Sequence, residues 1–155
     1  PAPGKRGRGA GNKSKVIVAV ENRGKCAGHA RMTVVEFLDS PTIEEAALRT
    51  IRKGSLIRTD DYSAYPVLAD HFEHNAMQIL PKDADKALPW VHILIGNAKA
   101  FIRGTYHGVS HKHLHRYLNE FCYRFNRRFQ TNEIFDHILF AALSTPSFTY
   151  QELTR

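Results

Sequence analysis

Hydrophobic positions along the chain change period near its middle. The first half reads in short β-branched or alternating runs, the second half in stripes of period 3.6. Val16-Ile17-Val18-Ala19-Val20 is a β-branched run, and Glu21-Asn22-Arg23-Gly24-Lys25 supplies turn residues after it. A second strand is predicted from Ala27 to Phe37, with Arg31 and Thr33 alternating against apolar neighbours. Together these predict a hairpin. Thr42 reads as an N-cap, with Glu44 and Glu45 in a first turn where the helix dipole favours anions. Ile43, Ala46, Ala47 and Ile51 give that helix its apolar face. Arg49, Arg52 and Lys53 fall in its last turn, and Gly54 is a suitable stop.

The chain then runs through Leu56-Ile57, a short strand expected to be buried, and ends it abruptly at Asp60-Asp61. A short helix is predicted over Tyr65–Phe72 and a strand over Asn75–Leu80, followed by a polar loop at Pro81–Lys86. The order β-β-α-β-α-β suits a mixed sheet with helices on its faces.

Helices dominate the rest. Val91, Leu94, Ile95, Ala98 and Ile102 keep helical period over Leu88–Arg103, and the stretch Gly104–Val109 is expected to break it. Ser110 reads as the cap of a second helix. Leu114, Tyr117, Leu118, Phe121, Cys122, Phe125 and Phe129 form its stripe, the strongest helical signal in the chain. Its other face carries Lys112, Arg116, Arg124, Arg127 and Arg128. A last helix is predicted near Asn132–Leu143, before Pro146, and the tail 146–155 carries no pattern.

Charge adds a partner class to this outline. A net charge of +7 with pI near 9.6 predicts a polyanion, nucleic acid ahead of a membrane surface. Residues 1–15 hold five cations, four glycines and no large apolar side chain, and are expected to be a mobile basic arm, either a DNA-contacting tail or a solubilising linker. The chain has no run of about 18 apolar residues and no apolar leader, so neither a membrane span nor a signal peptide is expected. Two cysteines are too few for a disulfide framework; Cys26 and Cys122 are expected to be buried and reduced, in the cytoplasm.

Candidate chemistry is confined to a few positions. Asp60 ends a strand, where a carboxylate can bind metal, but a pair of turn-forming aspartates fits the same residues. Asp60 and Asp61 point to opposite faces of a strand, so one metal would not take both. On the following helix His92 and Lys99 are seven apart and lie within about 20° of each other. Arg103 continues their edge, and Asn97 falls on the opposite margin of the apolar face. Such a line suits phosphate contacts, but a solvated helix edge is the reading that spacing alone favours. His107, His111, His113 and His115 have no cysteine or carboxylate close by, so phosphate contact or plain surface is expected over zinc.

Three segments, GKRGRGAGNKS (4–14), GSLIRTDDYSAYPVL (54–68) and WVHILIGNAKAFIRGTYHGVSHKHLHRYLNEFCYRFNRRF (90–129), resemble the catalytic domain of bacterial insertion-sequence transposases of the ISXO-like group. The resemblance, which runs over nearly the whole chain, implies an α/β, RNase H-like mixed sheet flanked by helices, spanning residues 16–145. It implies a DDE-type site that cuts and joins DNA with two Mg²⁺ (or Mn²⁺) ions held by carboxylates. Asp60 matches the second acid and the chain's metal ligand. The third position is His92, which stands seven residues before Lys99, or Asn97. Lys99 would lie near the cleaved phosphate, with Arg103, His107, Lys112 and Arg116 as further DNA contacts. DNA, as terminal inverted repeats and target, is the implied partner, along with a homo-oligomer. The family's first acid lies on a strand before the Gly-Lys-rich segment, and this chain begins after it. The expectation is therefore a sheet lacking its first strand and a chain inactive on its own; a non-catalytic DNA-binding remnant and a basic nucleic-acid-binding module are the alternatives.

Overall fold

The β-branched runs at the start of the chain pair as predicted. The computed structural model describes residues 13–79, 84–147 and 149–154. Strand β1 (Lys15–Asn22) pairs antiparallel with β2 (Ala27–Val35), setting Val16 opposite Val34 and Val18 opposite Met32. Lys15 thus belongs to β1, Lys13 and Ser14 lead into it, and residues 1–12 of the predicted arm lie outside the described residues. In the turn, Gly24 takes φ +74°, and its N–H donates to Asn22 Oδ1 at 2.9 Å. Gly28 packs beneath the Glu21 carboxylate, where a Cβ would fall 2.2 Å from Oε2.

Helix α1 (Ser40–Thr50) starts one turn earlier than the Thr42 cap predicts. Asp39 is the cap and accepts from the Thr42 N–H at 3.1 Å, while Pro41 sits in the first turn, where its missing N–H costs nothing. Of the predicted basic last turn only Arg49 is helical. Ile51 ends the helix in extended conformation, so Gly54, at φ +77°, turns the chain into the next strand instead of capping α1. That strand, β3 (Leu56–Asp60), pairs in parallel with β4 (Glu73–Met77), a pairing made possible by the 3₁₀ turn Tyr65–Asp70 between them. Leu56 is half exposed, so β3 is not the buried strand expected from its composition. The strand runs Glu73–Met77 instead of the predicted Asn75–Leu80; Leu80 and the first half of the predicted loop, residues 81–83, lie outside the described residues.

A single helical turn, α2 (Ala84–Ala87), leads into α3 (Pro89–Tyr106). The break falls late in the predicted stretch, and Gly104–Tyr106 stay helical. An exposed glycine costs a helix only about 1 kcal/mol, and the stop comes at His107 (φ +56°) and Gly108 (φ +148°). Ser110 precedes a 3₁₀ turn, His111–His113, and its side chain makes no cap hydrogen bond. Helix α4 (Leu114–Asn126) buries Leu118, Phe121 and Cys122, but it stops before Phe129, which leaves the predicted stripe and is exposed. Helix α5 (Ile134–Ser144) follows the 3₁₀ turn Thr131–Glu133. In the tail, α6 (Tyr150–Thr154) is started by a capping box, in which Thr149 N–H donates to Glu152 Oε2 at 2.8 Å and Glu152 N–H to Thr149 Oγ1 at 3.4 Å.

The result is a mixed α/β fold with two separate two-stranded sheets. Strand β1 serves two cores by its alternation. Val16, Val18 and Val20 pack with Ala30 and Met32 against α3 and α4, around the fully buried Leu94. Ile17 meets the second core on the other side, where Ile43 and Ala47 of α1 pack with Leu68, Phe72 and Ile57 of β3.

The outer edge of β2 is closed by α4 and the residues after it. Asn126 Oδ1 accepts from the Ala30 N–H at 2.7 Å, and Asn126 Nδ2 donates to the Ala30 carbonyl at 3.0 Å, as a neighbouring strand would. Arg128 donates to the carbonyls of Ala27, Gly28 and Phe125. Covering an edge in this way removes a template for aggregation.

Candidate functional site

Asp60 is the last residue of β3, opposite Met77 of β4. Ile57 turns into the second core, and the Thr59 hydroxyl lies 2.8 Å from His74 Nε2. Asp60 alternates away from them and is half-buried, while Asp61 is exposed. The loop after the two acids is anchored to the start of α1. Tyr62 Oη donates to the Leu38 carbonyl at 2.9 Å, and Ser40 Oγ to the Ala64 carbonyl at 3.2 Å. Asp60 therefore sits on an ordered strand end with a fixed exit.

Its direction can be related to α3. Ile17 and Ile57 both face the α1 core, so Asp60, alternating from Ile57, points to the opposite side. In the first sheet that is the side on which Val16, Val18 and Val20 carry α3. Asp60 and α3 thus each lie on the side of their own sheet turned away from the α1 core; they belong to different cores, and α3 packs chiefly on β1, α2 and α4.

On α3 the four predicted residues His92, Asn97, Lys99 and Arg103 are all exposed, while Leu94 and Ala98 are buried. Phe101 marks the margin facing α4, by its contact with Phe121 at 5.7 Å between ring centres. At about 100° per residue, Asn97 lies some 40° from Phe101, on this α4 margin. His92 and Lys99 lie on the other margin, beyond Ile95 and Ile102, and Arg103 continues that line. The two candidates for the third position therefore occupy different sides of the helix.

The turn after α3 is pinned at its base. Tyr106 Oη donates to Glu120 Oε2 at 2.9 Å, which pushes the Tyr106 phenol pKa up, and its ring packs edge-on to Tyr117 at 4.5 Å. His107, Lys112 and Arg116 are exposed around this turn. The predicted basic face of α4 is smaller than expected. Arg124 pairs with Glu120 at 3.5 Å, Arg127 stacks on Tyr123 at 3.7 Å, and Arg128 clips β2. Lys112 and Arg116, the other two cations of that face, are exposed. Arg31, by contrast, was not singled out from the alternation of its strand. It is exposed on β2 and lines two open hollows, one with Arg49 of α1 and one with Arg127.

The two cysteines differ: Cys26 is exposed, contrary to expectation, and Cys122 is buried, which raises its thiol pKa. Among the described residues no group of three or more His, Cys, Asp or Glu is placed to hold a metal ion. Asp60 alone does not fit a two-metal centre, and the histidines around 107–115 do not make one either. Among the same residues no helix is long and apolar enough to cross a membrane.

Comparison with known proteins bears on the whole of this arrangement. No curated protein and no solved structure matches the chain. A family model described as the ISXO2-like transposase domain matches residues 2–126, which include Asp60, the α3 line and α4 to its last residue. The chain belongs to the ISXO2-like transposase domain family.

Proposed function

We propose that this chain is the DNA-working part of an insertion-sequence transposase, with Asp60 as its catalytic acid and His92 and Lys99 beside the same DNA phosphate. The observation that carries the reading is directional. Asp60 and α3 each lie on the side of their own sheet turned away from the α1 core, and His92 and Lys99 lie on the margin of α3 turned away from α4. Asn97 is on the wrong margin to join them, so His92 is the better third residue. Arg103, His107, Lys112 and Arg116 extend the cationic surface, and DNA phosphates suit a chain of net charge +7.

An RNase H-like architecture is part of the proposal. The antiparallel pair β1–β2 and the parallel pair β3–β4 each retain an unpaired edge, and Ile17 and Ile57 meet one core beneath α1. One strand inserted between β1 and β3 would join them into a single mixed sheet. Mg²⁺ or Mn²⁺ chemistry at Asp60 would need further carboxylates from outside the described residues. That same lack favours a second reading, a domain that binds DNA without cutting it. In the first reading the protein works on terminal inverted repeats and target DNA, in the bacterial cytoplasm, as a homo-oligomer.

Binding of duplex DNA followed by fluorescence anisotropy across a salt series tests the shared part. Affinity should fall steeply with salt, and Lys99→Ala with Arg103→Ala should reduce the log–log slope by about 2, since each phosphate contact contributes roughly 0.9. Salt-insensitive binding would refute both readings. Nicking of supercoiled DNA with Mg²⁺ or Mn²⁺ separates them. The purified chain should not nick, whereas the same chain supplied with an Asp-bearing upstream strand should, and Asp60→Asn should abolish it. Failure of the extended protein to nick would leave the binding-only reading standing.

A further inference from the structure

Helix α5 is out of character with the rest of the molecule. None of its residues is buried, and among the described residues its substantial packing partner is only the turn that leads into it. Yet it exposes Phe135 (71%), Ile138 (53%), Leu139 (46%), Phe140 (73%) and Leu143 (79%), and Phe129 (76%) stands exposed just before it. With side chains of this size offering on the order of 200 Å² each, the six together present about 800 Å² of apolar surface. That exceeds the 300–600 Å² of the largest patch on a typical monomer. It equals about the 800 Å² that each partner of a stable complex contributes.

We infer that α5 is a self-association surface on which a second copy of this chain docks through its own α5. Charge decides against other occupants. Of the 22 lysines and arginines, none lies between Phe129 and Thr154, while Glu133, Asp136 and Glu152 do. A surface without cations does not bind DNA phosphates, and it lacks the Lys and Arg that hold an amphipathic helix on an anionic membrane. The cationic body and the apolar helix are thus segregated along the chain, so two copies can meet at α5 without apposing their positive surfaces.

The pairing is antiparallel. At about 100° per residue Ile138, Phe135, Leu139 and Leu143 span one continuous face, and Phe140 extends its edge. In a two-fold arrangement Ile138 and Leu139 meet their own copies at the centre, and Phe135 meets the second copy's Leu143 at each end. A parallel pair would instead place Asp136 beside its copy. Helix α5 lies beyond residue 126, where the family match ends, so this surface is independent of the Asp60 and α3 chemistry. It gives a location to the homo-oligomer of the proposed function and does not depend on DNA being the ligand.

Sedimentation velocity of the chain without DNA tests the inference. The expected species has twice the 17.6 kDa mass of the chain, and Ile138→Glu or Leu139→Glu should return it to a monomer with unchanged helical circular dichroism. The variants should retain DNA binding, which separates failure here from failure of the DNA reading. Orientation is read by oxidative cross-linking in a Cys26→Ser background, where Ile138→Cys should form a covalent dimer and Ile134→Cys, off the central seam, should not. A wild-type chain that stays monomeric at tens of micromolar would overturn the proposal. So would a dimer unaffected by both glutamates, or partition of the chain into vesicles of phosphatidylethanolamine and phosphatidylglycerol.

Discussion

Asn126 offers a sharp test of how the end of α4 is used. The sequence puts Arg127 and Arg128 on a basic helix face, but Asn126 beside them gives both its amide groups to the backbone of Ala30, which is 4% exposed. Asn126→Ala leaves an N–H and a carbonyl of the β2 edge without partners. Each unpaired backbone group costs about 1–3 kcal/mol, and the open hollow beside Asn126 admits water, which holds the cost near the lower bound. Alanine returns about 0.5 kcal/mol through its better helix propensity. The net loss is about 1.5 kcal/mol, a fall in Tm of roughly 3–6 °C for a chain of this size. Urea unfolding followed by circular dichroism measures it, and the m-value should not change. Asn126→Asp adds a sign. Its carboxylate still accepts from the Ala30 N–H but faces the Ala30 carbonyl with a second oxygen, which raises its folded-state pKa. The variant should be at least as unstable as Asn126→Ala at neutral pH and should recover as pH falls through about 4 and the acid gains a proton to donate. If Asn126→Ala instead weakens DNA binding and leaves the urea midpoint within about 0.5 kcal/mol of wild type, the clip is not structural and the reasoning fails.

Two further outcomes follow from the hairpin and the cysteines. The Arg23 guanidinium, and then the His29 N–H, hold the Glu21 carboxyl down at about 2, from an ordinary 4.5. A depressed acid contributes stability that is full above 4.5 and lost as pH falls towards 2. The stability difference between wild type and Glu21→Gln should therefore shrink over that window; a difference flat with pH would remove Glu21 from the account. Cys26 should react promptly with a thiol reagent under native conditions and Cys122 only on unfolding, giving one thiol titrated before denaturant and two after.

Local patterns were readable where one physical rule acted alone. The hairpin followed from β-branched runs around a turn, and the α4 stripe from helical period, because burial of one face dictates spacing. Where two residues could serve, the sequence left a choice open. Asp39 and Thr42 can both cap α1, and the choice of Asp39 puts Pro41 in the first turn. Gly104 and the pair His107-Gly108 can both end α3, and packing of Tyr106 on Tyr117 draws the helix on to the later stop.

Asp60 could be located by sequence as the acid at a strand end, and the resemblance carried by residues 54–68 and 90–129 supplied the family. Which side of the sheets Asp60 faces depends on Ile17 and Ile57 meeting one core, a contact between residues 40 apart that no local pattern encodes. The same holds for Asn126 and Arg128, whose partners lie about 100 residues away in β2. Helix α5 shows the opposite limit. Its composition is that of a buried helix, and sequence determined that it is apolar and helical. Only the tertiary structure decided that neither core of the described residues receives it, because α3 and α4 fill one side of β1 and β2 and α1 meets the other.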